Sequence, residues 1–235
     1  MDKIILVLIS LTILQSCKKD ENQTYDERKL FADTEAQIKK YREDAQKYWD
    51  LNDAENAMKY DDSIKLFIRD SYIDNYKFIT VDSSIYNTSK RKKPLFLQVT
   101  ASWCAPCKFE VPSLNKIVEK YSDKVDFVLL FWDSQKELEK LAQDYNRNIF
   151  LIPSQKKQPE PTTIEIAGFK HITGFPTNYL ISIDDRIMKI SEGAVIPATY
   201  TDRSGKEITI TEDEAKKMNY ERLEREIKEL LNTSV

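Results

Sequence analysis

The chain has 235 residues, of which 32% are charged and 41% are apolar, and its formal net charge is −3. Its positive residues form no long block of the kind that follows a phosphate backbone, which argues against nucleic acid as a partner. The four glycines form neither a Walker loop nor a dinucleotide-binding fingerprint. The length fits one large domain, or one domain with a small appendage.

The N-terminal segment has the pattern of a lipoprotein signal. An apolar run from Ile4 to Leu14 follows a single lysine, is too short for a transmembrane helix, and is typical of a secretory signal. It ends in Leu-Gln-Ser-Cys, which resembles a bacterial lipobox. We therefore expect a signal peptide over 1–16, acylation of Cys17, and a charged tether over 17–24. The alternative is an ordinary signal peptide followed by an incidental cysteine.

Residues 25–72 are predicted to form a helical hairpin. Apolar residues recur at helical spacing from Thr24 to Trp49. Asn52, with Glu55 three residues later, has the pattern of a capping box that begins a second helix. The hairpin could pack against the rest of the chain or recognise a partner, and the sequence does not choose between these roles.

Strands and helices alternate over the remaining residues, 73–235. The predicted strands are 77–86 (a pair or an edge strand), 94–100, 124–132, 148–153, and a hairpin of 178–184 with 186–191. The predicted helices are 105–121, 134–145 and 212–231, the last two with capping boxes. A polar loop over 155–163 and a turn at 202–206 separate β-rich runs. This order predicts an α/β fold with a central mixed sheet flanked by helices.

Cys104 and Cys107 form a C-x-x-C pair between a buried strand and a helix. With Cys17 assigned to the lipid, they are the remaining cysteines of a chain in an oxidising compartment. Haem attachment would need a histidine directly after the pair, where the chain has Lys108. Zinc would need four ligands, and His171, the single histidine, is expected to be a loop residue instead. A purely structural disulfide would close only a small loop.

Two stretches together resemble the thioredoxin superfamily, and within it the TlpA/ResA-like thiol–disulfide oxidoreductases. The first is FLQVTASWCAPCKFEVPSL (96–114), with the family's E-x-P after the second cysteine. The second is TGFPTNYLI (173–181), where the family keeps a cis-proline, here Pro176. The resemblance covers about 77–193 and the terminal helix. The helical hairpin and an insert near 194–210 lie outside it.

The resemblance implies a role for each residue of the site. Cys104, at a helix N-terminus that favours the thiolate, would attack a substrate disulfide, and Cys107 would resolve the mixed disulfide. Glu110 would exchange the proton of Cys107. Gln98 stands where thioredoxin keeps a proton-relaying aspartate, which leaves Glu110 as the carboxylate in reach. The implied substrate-binding residues are Trp103, Phe175, Pro176 and Thr177.

The sequence therefore predicts an exported, lipid-anchored thiol–disulfide oxidoreductase that reduces protein disulfides and faces the periplasm, with the cell surface as an alternative. The only redox group expected is the Cys104–Cys107 disulfide, with no cofactor and no metal. Implied partners are protein thiols and disulfides, the membrane that holds the lipid, and a membrane thiol-electron donor. The neutral Ala-Pro dipeptide between the cysteines favours a potential nearer to thioredoxin, about −270 mV, than to DsbA, about −120 mV. A redox-silent binding module of the cell envelope is the alternative function.

Overall fold

A computed structural model describes residues 28–155, 164–171, 173–201 and 204–232. The predicted signal peptide, Cys17 and the tether lie outside the described residues. The helices are α1 (Glu35–Asp50), α2 (Ala54–Ile68), α3 (Ala105–Tyr121), α4 (Gln135–Leu141) and α5 (Glu212–Asn232). None of the described helices is both long enough and apolar enough to cross a membrane.

The strands, in chain order, form a central sheet and three small hairpins. They are β1 (Lys77–Ile79), β2 (Ile85–Asn87), β3 (Leu95–Thr100), β4 (Asp126–Ser134), β5 (Ile149–Ser154), β6 (Ile164–Ile166), β7 (Phe169–His171), β8 (Thr177–Ile181), β9 (Ile187–Glu192), β10 (Ala198–Thr201) and β11 (Glu207–Ile210). The central sheet has the order β5-β4-β3-β8-β9. β3, β4 and β5 run parallel, and β8 and β9 pair antiparallel beside them. The predicted mixed sheet flanked by helices is confirmed.

Helices cover both faces of this sheet, because alternate side chains of each strand point to opposite sides. α3 and α5 cover one face, which we call the disulfide face. Its buried apolar residues include Phe96, Leu114, Ile117, Phe127, Leu129, Leu180, Leu223 and Ile227. The α1–α2 hairpin covers the other face, which we call the hairpin face. Its buried residues include Phe31, Ile38, Ile64, Ile68, Leu95, Leu97, Val99, Val128 and Tyr179.

The helical hairpin packs as part of the main core. The connection from β5 to β8 contains, in its described part, the short β6–β7 hairpin and no helix. An apolar sheet face has to be buried against another layer, and here the N-terminal hairpin supplies that layer. The helical hairpin and the sheet share one cluster of buried side chains. The domain boundary predicted at residue 72 therefore remains a prediction.

The starts of the two hairpin helices differ from the sequence prediction. Leu30 forms a β-bridge with Tyr72, so the chain is extended there, and helical structure begins with a 3-10 turn at Phe31. The N-cap of α2 is Asp53, whose carboxylate accepts a hydrogen bond from the Asn56 backbone N–H. Asn52, the predicted cap, instead takes a left-handed backbone conformation with φ 56° in the turn. Asn52 is used for the short turn between α1 and α2, so the N-cap of α2 is the next residue, Asp53.

The insert predicted near 194–210 contains the paired strands β10 and β11, which we call the arm. All four residues of β10 are exposed, and β11 is half exposed. The start of the arm is held by Asn219 of α5, whose side-chain amide exchanges two hydrogen bonds of 2.8 Å with the Val195 backbone. The capping box predicted for α5 is confirmed, since Thr211 and Glu214 bond each other's backbone N–H groups.

Candidate active site

The two cysteines lie at the first turn of α3, directly after the central strand β3. They form a disulfide with a Cα–Cα distance of 5.3 Å. Cys104 is the N-cap residue, and its Sγ accepts a hydrogen bond from the Cys107 backbone N–H at 3.2 Å. Unpaired N–H groups and the positive end of the helix dipole gather at this position, so a thiolate on Cys104 is stabilised once the disulfide is reduced.

The loop that leads into the cysteines is held by a carboxylate from the neighbouring strand. Asp133, buried near the end of β4, accepts a hydrogen bond from the Ser102 backbone N–H at 2.7 Å and another from the Ser102 hydroxyl. The sequence reasoning did not single out Asp133. A signal for it existed, since a carboxylate near the end of a buried parallel strand lies at the same sheet edge as the end of β3.

Aromatic side chains surround the disulfide on its outer side. Trp103 is 60% exposed and meets the Phe175 ring edge-to-face, with 5.4 Å between ring centroids. Phe175 and Trp132, both partly buried, pack against the cysteines. The Phe175–Pro176 peptide bond is cis. The structure thus places Phe175 against the cysteines, Trp103 against Phe175, and Pro176 next to Phe175 in the chain. Contact of these three residues with a substrate remains a prediction.

The fourth predicted substrate-binding residue has a different surrounding. Thr177 is buried, and its hydroxyl donates to the Gly174 carbonyl at 2.7 Å, inside the proline loop. Its side chain therefore supports the loop, and its contact with a substrate remains a prediction.

His171 is a strand residue, so the expectation of a loop residue is wrong. It lies in β7, fully buried, where its ring nitrogens hydrogen-bond the Tyr179 hydroxyl at 2.9 Å and the Gly174 carbonyl at 3.0 Å. Burial lowers the pKa of His171 to about 4. The neutral ring is thus an internal hydrogen-bonding group, which one short β-hairpin carries into the core.

Glu110 lies one turn beyond Cys107 on α3 and is 1% exposed. One carboxylate oxygen accepts a hydrogen bond from the Gln98 amide at 2.6 Å, and the other forms an ion pair with Arg222 of α5. Burial raises the pKa of Glu110 to about 7, while the Arg222 charge and the Gln98 hydrogen bond act against that rise. A carboxyl group with this pKa can accept and release a proton at neutral pH.

Glu110 is part of a buried polar network on the disulfide face. The Gln98 amide also donates to the Asn178 side-chain oxygen at 2.8 Å, and the Asn178 amide donates to Glu226 at 3.3 Å. The sequence reasoning missed Asn178, Arg222 and Glu226. Asn178 could have been noticed as a polar residue within a predicted buried strand. Arg222 and Glu226 could not, because they resemble the solvent-facing charged residues around them on α5.

The described residues hold no group of three or more His, Cys, Asp and Glu side chains that could bind a metal ion. The Cys104–Cys107 disulfide and the buried carboxyl group of Glu110 together offer thiol–disulfide exchange coupled to proton transfer. A disulfide at a helix N-terminus, after a central parallel strand and opposite a cis-proline loop, defines the class of thioredoxin-like thiol–disulfide oxidoreductases.

Comparison with known proteins agrees with this class. The family model of Thioredoxin matches residues 77–156. Thioredoxin-like protein YneN of Bacillus subtilis is 26% identical over 122 residues, which are 51% of this chain and 67% of YneN. Thiol-disulfide oxidoreductase ResA of Oceanobacillus iheyensis is 28% identical over 118 residues, which are 49% of this chain and 58% of ResA.

Among solved structures, StoA from Bacillus subtilis aligns with a TM-score of 0.41 at 20% identity, covering 52% of this chain and 90% of StoA. The chain is thus similar to the thioredoxin superfamily over residues 77–156, and over about half of its length to relatives that include ResA. It spans about two thirds of the length of YneN and a smaller share of ResA.

Proposed function

We propose that this protein is an exported, lipid-anchored oxidoreductase that reduces disulfides in protein substrates with the dithiol of Cys104 and Cys107. The observation that carries the proposal is the placement of Glu110. A buried carboxyl group whose pKa lies near 7, one turn behind the inner cysteine, is suited to exchange that cysteine's proton.

The first step uses the cysteine at the helix N-terminus. The Cys104 thiolate attacks one sulfur of the substrate disulfide, so a Cys104–substrate bond forms and the other substrate sulfur leaves as a thiolate. That thiolate takes a proton from water. Cys104 is the attacking residue because the helix N-terminus stabilises its anion.

The second step resolves the mixed disulfide. Cys107 transfers its proton to the Glu110 carboxylate and attacks the Cys104 sulfur, which releases the second substrate sulfur as a thiolate. Two electrons have then passed from the dithiol to the substrate, and the protein holds the Cys104–Cys107 disulfide. Glu110 returns its proton to solvent or to the leaving thiolate. A membrane thiol-electron donor restores the dithiol by the same exchange.

The substrate is expected to bind as an extended segment along the proline loop. Trp103 and Phe175 offer apolar contact beside the disulfide. The Pro176 carbonyl already accepts a hydrogen bond from the Gly193 backbone N–H at 2.8 Å. Backbone pairing with the substrate is therefore assigned to Phe175, in the manner of an added strand. Thr177 supports this loop from within.

Export and anchoring are proposed from the lipobox-like sequence that ends at Cys17. An exported reductase depends on electrons from a thiol carrier in the inner membrane. A position facing the periplasm allows that supply, whereas display on the cell surface would separate the protein from it. The periplasmic position is therefore the one we propose.

The proposal is tested by insulin reduction in vitro and by substrate trapping in the native host. Cys107→Ser leaves Cys104 free to attack but removes the resolving thiol, so mixed disulfides should accumulate and mass spectrometry should identify their partners. Cys107→Ser combined with Cys104→Ser is the matched control and should trap nothing. If the folded wild-type protein does not reduce insulin and Cys107→Ser traps nothing, the protein would instead be a redox-silent binding module.

A further inference from the structure

We propose that Arg222, on the C-terminal helix α5, is a positioning residue that holds the Glu110 carboxylate behind the disulfide and determines whether it carries a proton. This inference rests on the proposed function, in which Glu110 accepts the proton of Cys107. Arg222 itself does not contact the cysteines or a substrate in this assignment; it acts through Glu110.

The guanidinium group of Arg222 is fixed at two points. One terminal nitrogen forms the ion pair with Glu110, and the other donates to the Gly193 carbonyl at 2.6 Å. The Arg222 side chain is 18% exposed and that of Glu110 is 1% exposed, so solvent screens the pair weakly. Because both terminal nitrogens of the planar guanidinium group are bonded, the Glu110 carboxylate that it pairs with has little freedom to move.

One nitrogen of the Arg222 side chain is buried without a hydrogen bond within the described part of the chain, which costs free energy of folding. Its Nε atom is buried and has no hydrogen-bond partner among the described residues. A buried unsatisfied donor destabilises a folded protein.

The neighbouring residues of α5 fix the direction of the arginine. Leu223 and Ile227 are buried in the core of the disulfide face. Asn219, one turn before Arg222, holds Val195 at the start of the arm through two hydrogen bonds. The helix is therefore fixed both to the sheet and to the arm, and Arg222 projects between them toward Glu110.

The charged and titratable groups around Glu110 come from several elements. They are Arg222 and Glu226 of α5, Tyr145 after α4, and Cys107 of the same helix, together with the neutral amides of Gln98 and Asn178. Arg222 is the cation paired with Glu110 in this part of the described structure, and Glu226 is a like charge that acts on Glu110. Removing that cation leaves burial and the Glu226 charge, which favour the protonated form of Glu110, opposed only by the Gln98 hydrogen bond among the causes that act on its pKa.

The expected consequence concerns the resolving step. With Arg222 present, Glu110 is ionised often enough at neutral pH to accept the Cys107 proton. Without Arg222, Glu110 stays protonated to a higher pH, and the resolving step should need that higher pH. Arg222→Gln tests this because it keeps a hydrogen-bonding side chain but removes the charge. Arg225→Gln is the matched control, since Arg225 lies on the same helix and is exposed.

The first measurement is independent of enzymatic activity. The Glu110 carboxyl carbon is titrated by ¹³C NMR in the oxidised protein and assigned with Glu110→Gln. We expect the midpoint of Arg222→Gln to lie about 1 to 3 pH units above the wild-type midpoint, as for loss of a neighbouring opposite charge. The Arg225→Gln midpoint should equal that of the wild type. An unshifted midpoint in folded Arg222→Gln would overturn the proposal.

The second measurement is the pH profile of insulin reduction. The rising part of the pH–rate curve should move to higher pH in Arg222→Gln by the same amount as the NMR midpoint. In a Glu110→Gln background, Arg222→Gln should cause no further shift of that curve. A merely structural arginine would lower the rate at every pH without moving the curve to higher pH, which would contradict the proposal. If Arg222→Gln does not fold, Arg222→Met, of similar volume, is subjected to the same criteria. Absence of turnover in the wild type would instead refute the proposed function, while the NMR titration would still decide the role of Arg222.

Discussion

The two faces of the central sheet are built from alternate residues of the same strands, yet they are filled in different ways. The disulfide face carries buried polar side chains beside the cysteines, namely Gln98, Asn178 and the Glu110 that meets them from α3. The hairpin face is filled mainly by aliphatic and aromatic side chains, and its polar contacts include the hydrogen bond between His171 and Tyr179.

The two faces therefore make different contributions: the disulfide face carries the reactive groups, and the hairpin face contributes packing. Polar groups in a core are costly unless each is paired, and the disulfide face holds a partly satisfied network next to the reactive sulfurs. The hairpin face has closely packed rings such as Phe31 on Phe169, with 5.0 Å between centroids. We infer that substitutions on the disulfide face mainly change activity and its pH dependence, while substitutions on the hairpin face mainly change stability.

The largest effect expected on the disulfide face is loss of the nucleophile. Cys104→Ser should lower insulin turnover by about 10³-fold or more, because a hydroxyl at this position is a far weaker nucleophile than a thiolate. The free energy of unfolding should change little, since the disulfide closes a short loop. Turnover and a urea unfolding curve test both statements. Residual activity above about a tenth of wild type would contradict the assigned role.

The largest effect expected on the hairpin face is a loss of packing. Ile68→Ala truncates a buried side chain of α2 and should cost about 2 to 5 kcal/mol in urea unfolding, with turnover per folded molecule unchanged. The control is Leu66→Ala on the same helix, where the side chain is 67% exposed and the cost should stay within about 0.5 kcal/mol. Equal costs for the two variants would show that the helical hairpin is not part of the core.

The two faces should also respond to pH in opposite directions. The pKa of Glu110 rises from 4.5 to about 7 on folding, so the folded protein binds more protons than the unfolded chain in this range. Its contribution to stability is present below pH 4.5 and is lost as the pH rises to 7. Glu110→Gln should remove this loss. Urea midpoints measured across that window should therefore fall less steeply with rising pH in the variant than in the wild type.

On the hairpin side the sign is reversed. The pKa of His171 falls from 6.5 to about 4 on folding, so its contribution to stability is present above pH 6.5 and is lost as the pH falls to 4. His171→Gln should remove this acid-side loss, although it should also weaken the hydrogen bonds to Tyr179 and Gly174 at every pH. An unchanged slope of unfolding free energy against pH below 6.5 would show that His171 does not carry this dependence.

The smallest effect is expected at the outer rim of the site. Trp103 is exposed, so Trp103→Ala should change the free energy of unfolding by no more than about 0.5 kcal/mol. It should raise KM for a protein substrate several-fold and leave kcat near the wild-type value, because the ring contributes to binding and not to the exchange of sulfur bonds. An equal fall in kcat would place Trp103 in the chemical step.

The elements whose signals are local were predicted well from the sequence. α3 begins and ends where its pattern indicates, and the capping boxes at Ser134 and Thr211 are formed. The start of α1 was misplaced because Leu30 forms a β-bridge with Tyr72, more than 40 residues away in the chain. The cap of α2 was misplaced because Asn52 takes a left-handed conformation in the turn between the two helices. The β6–β7 hairpin was missed, since its strands are only three residues long.

The sequence by itself determined the reactive group: two cysteines spaced by two residues, after an apolar strand and at the start of a helix, with Glu110 one turn further along. These signals lie within one short stretch, where spacing fixes geometry. Only the tertiary structure decided what surrounds that group. Arg222 and Arg225 lie on the same charged helix, and the sequence does not distinguish them, yet one is paired with Glu110 and the other is exposed. The difference arises because the packing of α5 against α3 and the sheet selects which face of the helix turns inward, and that choice depends on contacts more than 100 residues apart in the chain.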